Sequence, residues 1–411
     1  MFIFLSSLKK AHFSFNLQFQ DQIIYENCDK LLNFEKNTFL SRVNLFLWYY
    51  YIIRNLVITK QPVKLSYKVS VLNPFIRKLI ILLVHLKADK MVTILDNLLF
   101  SGCKSFIKQL KLLKPKLLVV PGSAMDSSSF LGLRSARKVG LMSLMVVTHW
   151  DYFSKKGIFR ELPDFLFVWG KSMKKTAIQQ GYPKKRIFSV GFPFFDFDNK
   201  NMKPSKQKRS SKKCLRIFFA GSGMPFCEES AIETICFHLK REREGARVTY
   251  RPHPRGTMAC RSVQMMKRKS FSKVFLSSPI RNENEEEATR NILRKSDGLI
   301  TPASTMLLQA GCYGLPSLCL IYDDGVNDHP FPFSFAAESE HIKSIQDNPY
   351  VIFVYRKQDL LKKLEEFLEL IKKSPDPWKI RQSFKHIFEN AGTISSRDFV
   401  EKALKTMLAT K

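Results

Sequence analysis

Short apolar runs alternate with amphipathic helical patterns along most of the chain, and this alternation constrains the fold more than any other feature. Lys116–Val120 (KLLVV) predicts a buried strand, and after Pro121 and Gly122 a helix is predicted over Asp126–Lys138. Strands that alternate with helices pair in parallel through crossover connections. The sequence therefore predicts an α/β protein with parallel sheets.

The same alternation occurs on both sides of a basic segment, Asn199–Lys213, which has seven basic residues and no acidic one. Such a composition cannot bury a core, so we predict a solvated linker there. A chain of 411 residues is also long enough for two domains. We therefore predict an α/β domain over residues 1–198, the linker over 199–213, a second α/β domain over 214–375, and C-terminal helices over 376–411 that pack back on the first domain.

The remaining predicted elements follow the same rules of periodicity and helix capping. The first half adds the strands Leu141–Thr148, Phe165–Trp169 and Ile187–Val190 and the helix Lys171–Gln180. The second half has the strands Leu215–Ala220, Arg247–Tyr250, Lys273–Leu276, Gly298–Thr301, Ser317–Ile321 and Val351–Tyr355 and the helices Glu228–Arg243, Ser304–Tyr313 and Gln358–Lys372. Residues before about Phe100 are the hardest to assign to helices and strands.

Within that N-terminal region, Val43–Thr59 is the most membrane-like stretch of the sequence. It contains Arg54 and falls short of the roughly 18–20 charge-free residues that a membrane span needs. We interpret it as a helix that is either buried or at a membrane interface. The start of the chain has Lys9 and Lys10 after its apolar residues, an order that disfavours a secretory signal. A cytoplasmic location is expected, with peripheral attachment to the inner membrane face left open.

The charge is strongly basic, with 67 Lys and Arg against 36 Asp and Glu and a net charge of +31. Such a field favours anionic partners: nucleotide phosphates, anionic lipid or nucleic acid. A genome-wide drift toward lysine codons would produce the same excess. Nucleic acid ranks last among these partners because no recognisable nucleic-acid-binding motif accompanies the charge.

Two motifs follow predicted strands of the second half, at the strand ends where open parallel sheets bind ligands. Gly221-Ser222-Gly223 would let the backbone approach a phosphate closely, although the same residues suit a plain turn. Arg251, His253 and Arg255 lie in a loop (RPHPR) stiffened by two prolines, where arginine forks would bind a pyrophosphate. An exposed basic loop is the simpler alternative for this second motif.

A third motif, Ser304-Thr305, begins a predicted helix after the strand Gly298–Thr301. Its hydroxyl and N–H groups would hold a donor phosphate, and a helix N-cap explains the same residues.

A fourth motif, T-H-W-D-Y-F-S-K-K-G, follows a hydrophobic strand in the first half. His149 or Asp151 would accept a proton from an acceptor hydroxyl. Trp150 would stack on a sugar, and Ser154 and Lys155 would contact an acceptor or a phosphate. A lone histidine after a strand is more commonly structural.

At these residues the sequence resembles bacterial surface-polysaccharide glycosyltransferases of the two-domain GT-B fold, and more distantly CDP-glycerol glycerophosphotransferases and nonhydrolysing UDP-N-acetylglucosamine 2-epimerases. The resemblance covers about Lys116–Leu320. Its pieces include T-H-W-D-Y-F-S-K-K-G, R-I-F-S-V-G-F-P-F-F-D, Y-R-P-H-P-R and S-D-G-L-I-T-P-A-S-T-M-L-L-Q-A-G-C-Y-G-L-P, in this order.

The resemblance implies two Rossmann-like domains facing a cleft, with an acceptor bound by the first and a nucleotide-sugar donor by the second. Arg251, His253, Ser304 and Thr305 would contact donor phosphates. At Gln309 the family usually has a glutamate that binds the donor ribose, and glutamine can still hydrogen-bond a hydroxyl. The resemblance also implies that no metal or other cofactor is needed.

The expected function is therefore transfer of a sugar from a nucleotide-activated donor to a polysaccharide, lipopolysaccharide or lipid-linked acceptor. A CDP-glycerol-type polyol-phosphate transferase is the alternative, with His149 and His253 as its two histidines. A basic nucleic-acid-binding protein is a distant third.

Overall fold

The computed structural model describes residues 3–4, 38–58, 69, 72–122, 127–156, 160–191, 214–224, 226–242, 246–253, 272–274, 283–326, 332–388, 401 and 404–407. Contacts within the chain divide it into two compact units. The first is Met1–Val190 together with Phe399–Lys411, and the second is Gly191–Asp398. The predicted linker over 199–213 lies outside the described residues.

The described residues of the first unit form five strands and several helices. The strands are β1 (Ile3–Phe4), β2 (Leu118–Gly122), β3 (Ser143–Val147), β4 (Phe165–Val168) and β5 (Ile187–Ser189). The helices are α1 (Thr38–Ile58), α2 (Pro74–His85), α3 (Asp89–Leu99), α4 (Lys104–Leu113), α5 (Ser127–Lys138) and α6 (Lys171–Gln179), with a π-helical turn at Tyr152–Lys156 and a 3-10 turn at Lys184–Arg186.

The strands of the first unit form one sheet in the order β1-β2-β3-β4-β5. Strands β2 to β5 are parallel, as predicted, whereas β1 pairs antiparallel with β2 at the edge. A strand of two residues has no measurable periodicity, so the sequence pattern could not predict this pairing. Leu404 and Met407 belong to a core cluster with Leu117, Leu144 and Phe167, so the C-terminal residues complete the core of the first unit.

Helix α1 settles which interpretation of Val43–Thr59 holds. Leu47, Tyr50 and Ile53 are fully buried within a cluster that α1 forms with α2, α3 and α5. Arg54 pairs with Asp89 at 2.7 Å, so its charge is compensated inside the unit. The aromatic stretch is therefore core. No helix in the described ranges has the length and hydropathy needed to span a membrane.

The second unit is a six-stranded parallel sheet with helices. Its strands are β6 (Arg216–Ala220), β7 (Arg247–Arg251), β8 (Ser272–Val274), β9 (Gly298–Pro302), β10 (Ser317–Leu320) and β11 (Val351–Val354). Its helices are α7 (Glu228–Glu242), α8 (Glu283–Lys295), α9 (Met306–Cys312), α10 (Glu340–Lys343), α11 (Leu360–Lys372) and α12 (Pro377–Gln382), with 3-10 turns at Phe333–Glu338 and Lys357–Asp359.

The strand order of this sheet is β8-β7-β6-β9-β10-β11, which places β6 beside β9. Numbered within the unit, the order is 3-2-1-4-5-6, the doubly wound Rossmann arrangement. Its core joins buried residues of β6, β7, β10, α7 and α11, among them Phe219, Ile232 and Leu364. The second sheet is parallel throughout its described strands, as predicted.

Residues 377–388 pack within the second unit, although the sequence suggested that everything after 376 returns to the first domain. Gly311 in α9 is the reason: a Cβ there would lie 2.3 Å from the Phe384 ring, so the ring occupies the space that glycine leaves. Gly314 packs against Pro377 in the same way. Of the C-terminal residues that the structure describes, Leu404 and Met407 join the first unit's core.

Candidate functional site

The candidate site lies at the carboxyl ends of three neighbouring strands of the second unit. Strand β6 is hydrogen-bonded to β7 on one side and to β9 on the other. The strand order reverses between β6 and β9, and doubly wound sheets bind their ligands beyond the strand ends at such a point. The loops in question are Gly221–Gly223, Pro252-His253 and Ala303–Thr305.

The two glycines after β6 lie against His253, which follows β7. A Cβ at Gly223 would be 2.8 Å from Cε1 of the His253 ring, and one at Gly221 would be 2.8 Å from the His253 backbone nitrogen. The Gly221 N–H donates to the Arg251 carbonyl at 2.8 Å. Glycine is thus required because the two loops touch, which gives the Gly-Ser-Gly motif a packing role that the sequence did not reveal.

A buried glutamate, Glu228, lies beneath the Gly221–Gly223 loop, at the first position of α7. The Ser222 N–H donates to Glu228 Oε1 at 2.7 Å, and the Tyr250 hydroxyl donates to Oε2 at 2.8 Å. Burial raises the pKa of Glu228 to about 7, although the two hydrogen bonds act in the opposite direction and lower that pKa. The site therefore contains a carboxyl group that titrates near neutral pH.

A second carboxylate, Asp324, covers the start of the same helix. Its Oδ2 accepts the Cys227 N–H at 2.6 Å, and its Oδ1 accepts the Val326 N–H at 2.7 Å. Together, Glu228 and Asp324 take N–H groups of Ser222 and Cys227 that the sequence suggested for a phosphate. Acidic residues at a helix start are ordinary capping chemistry, and Asp324 is distant in sequence, so sequence reasoning missed both.

Arg251 is directed into the protein. Its Nη1 donates to the Thr289 hydroxyl at 2.8 Å and its Nη2 to Met306 Sδ at 3.4 Å, and the residue is 7% exposed. The guanidinium thus joins α8 to the first residue of α9. The sequence predicted instead that Arg251 would contact a phosphate. Successive side chains of a strand point to opposite faces of the sheet, so Arg251, the last residue of β7, points to the face opposite to that of Tyr250. Arg255 lies outside the described residues.

Ser304 and Thr305 lie where β9 leads into α9. The Ser304 hydroxyl accepts the Met306 N–H at 3.2 Å and is 3.0 Å from the Thr301 hydroxyl, so Ser304 caps the first turn. Thr305 makes no side-chain capping bond and is exposed. Gln309 follows one turn later and is partly exposed. Gly223 and His253 therefore touch, and Thr305 lies in the loop after β9, the strand that pairs with β6.

In the first unit, His149 and Asp151 follow the carboxyl end of β3. His149 is exposed, Asp151 is partly exposed, and the His149 carbonyl accepts the Tyr152 N–H at 3.2 Å. Trp150 and Ser154 are each 5% exposed, and the Ser154 hydroxyl donates to the Asp151 carbonyl. The predicted sugar-stacking face of Trp150 is thus packed inside the unit. The Lys155 side chain lies outside the described part of the structure.

The first unit also contains a buried charge cluster that no local sequence pattern predicts. Asp96, which is 0% exposed, accepts hydrogen bonds from Arg134 and from Arg160, and Arg134 also donates to Glu161. Burial alone would raise the pKa of Asp96, but the two guanidinium groups outweigh it and lower the pKa. The cluster joins α3, α5 and the loop before β4, which makes it structural.

No protein-family model matches the sequence, and no curated protein matches it. Among solved structures, a protein assigned as UDP-N-acetylglucosamine 2-epimerase from Listeria monocytogenes is similar, with a TM-score of 0.51 and 16% identity over 75% of this chain and 77% of that one. The S. aureus MnaA–UDP complex has a TM-score of 0.49 and 14% identity, covering 74% and 78%. MurG from Acinetobacter baumannii has a TM-score of 0.44 and 11% identity, covering 75% and 79%.

At these identities the similarity concerns the fold. The fold similarity to the Listeria structure and the two sheets of this chain both match the architecture that the sequence resemblance implied. The chain therefore has the α/β fold of the GT-B class, built from two Rossmann-like domains.

Proposed function

We propose that the protein transfers a sugar from a nucleotide-activated donor, and that the second unit binds the donor diphosphate at the carboxyl ends of β6, β7 and β9. The observation that carries the proposal is the contact between Gly223 and His253, in loops that follow β6 and β7, beside the Ala303–Thr305 loop that follows the neighbouring strand β9. The Listeria protein with the same fold is named for a UDP-sugar, which supports a donor of this class.

The arrangement narrows which groups would contact the phosphates. Glu228 accepts the Ser222 N–H in the loop after β6, Asp324 accepts the Cys227 N–H just before α7, and the two carboxyl groups would repel a diphosphate there. We assign the phosphate contacts to the partly exposed His253 ring and the exposed Thr305 hydroxyl. Arg251 would act through Met306, by fixing the first residue of α9.

The reaction needs one proton transfer and one bond exchange. The acceptor hydroxyl forms a bond to the anomeric carbon while the bond from that carbon to the phosphate oxygen breaks. The electron pair leaves with the nucleoside diphosphate, which His253 and Thr305 would stabilise by hydrogen bonds. In this proposal His149 of the first unit takes the acceptor proton, and Asp151 is the other candidate for that role. The acceptor would be a glycan or a lipid-linked sugar, as the sequence resemblance implies.

A binding experiment tests the donor site before any acceptor is known. Thermal unfolding is measured with UDP, GDP, CDP, CMP and dTDP derivatives, because a ligand at about 100 times its Kd adds ~2.7 kcal/mol to stability. We expect one nucleotide class to raise the Tm, and His253→Ala and Thr305→Ala to abolish that rise. His386→Ala, an exposed histidine of the same unit, is the matched control. No response to any nucleotide would contradict the donor site.

Turnover separates the candidate reactions. Glycosyl transfer releases a nucleotide only when an acceptor is present, and polyol-phosphate transfer from a CDP-linked donor releases CMP. Epimerisation consumes no acceptor and leaves the nucleotide attached to the sugar. We expect acceptor-dependent release that His149→Ala lowers by roughly 10²–10⁴-fold, the usual contribution of a general base. Turnover that is unchanged in both His149→Ala and Asp151→Ala would exclude these residues as the base.

A further inference from the structure

Helices α2 and α3 of the first unit expose their apolar residues instead of burying them. Among the described residues, twenty large hydrophobic side chains are exposed, and ten of these lie between Phe75 and Leu99. Single exposed hydrophobics are normal on protein surfaces, but a concentration of this kind marks an interaction site. The concentration lies outside the candidate site of the second unit and is not explained by the proposed reaction.

The exposed residues follow helical spacing, so each helix presents one continuous outward row. We call these residues the apolar stripe: Phe75, Leu79, Leu82 and Leu86 on α2 and just after it, and Met91, Ile94, Leu95 and Leu98 on α3, with exposures from 40% to 75%. Spacings of three and four residues place side chains on the same helix face. The buried positions Ile80, Val84 and Val92 lie on the other faces and join the α1 core cluster.

Helix α3 has the reverse of the usual amphipathic arrangement. Its two acidic residues are compensated inside the unit: Asp89 pairs with Arg54 and accepts the Tyr50 hydroxyl, and Asp96 pairs with Arg134 and Arg160. Four large apolar side chains of the same helix face outward. A water-facing helix gains nothing from this arrangement, so the stripe is suited to an apolar environment outside the unit.

The charges around the stripe indicate the chemistry of that environment. Residues 73–122 contain nine Lys and Arg and two acidic residues, Asp89 and Asp96. Both acids are ion-paired within the unit, whereas Lys78, Lys87 and Lys90 are exposed on the same two helices and the turn between them. An apolar row with exposed lysines matches the acyl chains and anionic headgroups of a lipid surface. A second copy would bring lysines against lysines, which disfavours self-association through the stripe.

We infer that the apolar stripe of α2 and α3 is a docking surface for an anionic lipid bilayer, with Lys78, Lys87 and Lys90 contacting headgroup phosphates. The helices lie in the interface and do not cross it. This surface differs from that of α1, whose Leu47, Tyr50 and Ile53 are fully buried, and the inference holds whether or not the proposed transferase reaction is correct.

The test is co-sedimentation of the full chain with vesicles of equal parts phosphatidylglycerol and phosphatidylcholine, compared with phosphatidylcholine alone. Wild type is expected to bind the anionic vesicles, and less tightly as salt is added. We expect a variant with four substitutions in the stripe to have a partition coefficient into anionic vesicles lower by roughly tenfold or more; the substitutions are Leu82→Gln, Leu86→Gln, Met91→Gln and Leu98→Gln. Each apolar group withdrawn from the bilayer weakens binding. Lys78→Gln with Lys87→Gln and Lys90→Gln should lower binding to the anionic vesicles by a similar factor.

The matched control removes exposed hydrophobics elsewhere: Phe237→Gln with Leu361→Gln in the second unit, at 67% and 45% exposure, should bind vesicles as wild type does. Leu98→Trp supplies a readout that deletes no apolar surface, and its emission should move to shorter wavelength when anionic vesicles are added. The inference is wrong if wild type does not bind these vesicles, or if the four-residue variant binds them equally well. It is also wrong if light scattering shows that wild type is an oligomer and the four-residue variant a monomer, while the two bind vesicles equally well. A second copy of the chain would then cover the stripe.

Discussion

At the scale of single residues, the carboxyl group of Glu228 couples the loop after β6 to pH. Its pKa of about 7 lies above the usual value of 4.5 because burial disfavours the charged form. A folded-state pKa above the unfolded value means that the folded state holds the proton more tightly. The stabilisation from this group is therefore complete below about pH 4.5 and is lost as the pH rises toward 7.

Glu228→Gln should remove this pH dependence. Glutamine can accept the Ser222 N–H and donate to the Tyr250 hydroxyl, so both hydrogen bonds persist without a charge. At pH 4 or below the variant should match wild type, and at pH 8 it should be more stable by about 3 kcal/mol, since one pKa unit corresponds to ~1.4 kcal/mol. Urea unfolding at a series of pH values measures this difference. Glu229→Gln, the partly exposed neighbour on α7, is the control, and parallel curves for wild type and Glu228→Gln would refute the coupling.

How far the site could be predicted also depends on single residues. The sequence indicated which polar motifs follow strands, because an apolar run that ends in Gly or Pro marks a strand end. It could not indicate that Trp150 is buried or that Arg251 is directed at Thr289 and Met306, since a side chain's direction depends on which face of the sheet its neighbours cover. Contacts between distant residues, such as Cys227 with Asp324, leave no local pattern.

At the scale of elements, the buried cluster around Asp96 holds α3 against α5. Asp96→Asn would leave two buried guanidinium groups facing a neutral amide. Breaking a buried pair in this way costs about 3–5 kcal/mol. Asp89→Asn is the matched control on the same helix: its pair with Arg54 is one-third exposed, and such pairs contribute about 1 kcal/mol or less. Equal losses for the two variants, measured by urea unfolding, would show that the cluster does not hold the helices together.

The same cluster explains why the elements of the N-terminal region escaped prediction. The strands around Leu118, Leu144 and Phe167 are continuous apolar runs, and their observed bounds lie close to the predicted ones. Helix α3 instead buries an aspartate and exposes leucines, so its hydrophobic periodicity does not mark the face that packs on the core. In such a case hydrophobic periodicity identifies the helix but assigns the wrong face of it to the core.

At the scale of the whole molecule, the return of the chain to the first unit predicts a selective loss of stability. Leu404 and Met407, at 6% and 0% exposure, pack on the sheet that contains Leu144 and Phe167. Leu404→Ala and Met407→Ala should each destabilise the first unit by about 2–5 kcal/mol, the cost of a cavity in a core.

Calorimetry resolves the two units if they unfold separately, and only the transition of the first unit should move. Met407→Leu conserves the volume and should cost less than about 1.5 kcal/mol. If both transitions move together, or if neither moves, the C-terminal residues do not stabilise the first unit selectively.

The C-terminal return has a consequence for how a cell makes this protein. The first unit's sheet leaves the ribosome early, but the residues that cover one face of it are translated only after the whole second unit, Gly191–Asp398, has emerged. At about 5–20 residues per second, the intervening stretch of about 200 residues takes ~10–40 s to synthesise. During that interval the nascent chain exposes an unfinished apolar face, which a chaperone would have to shield.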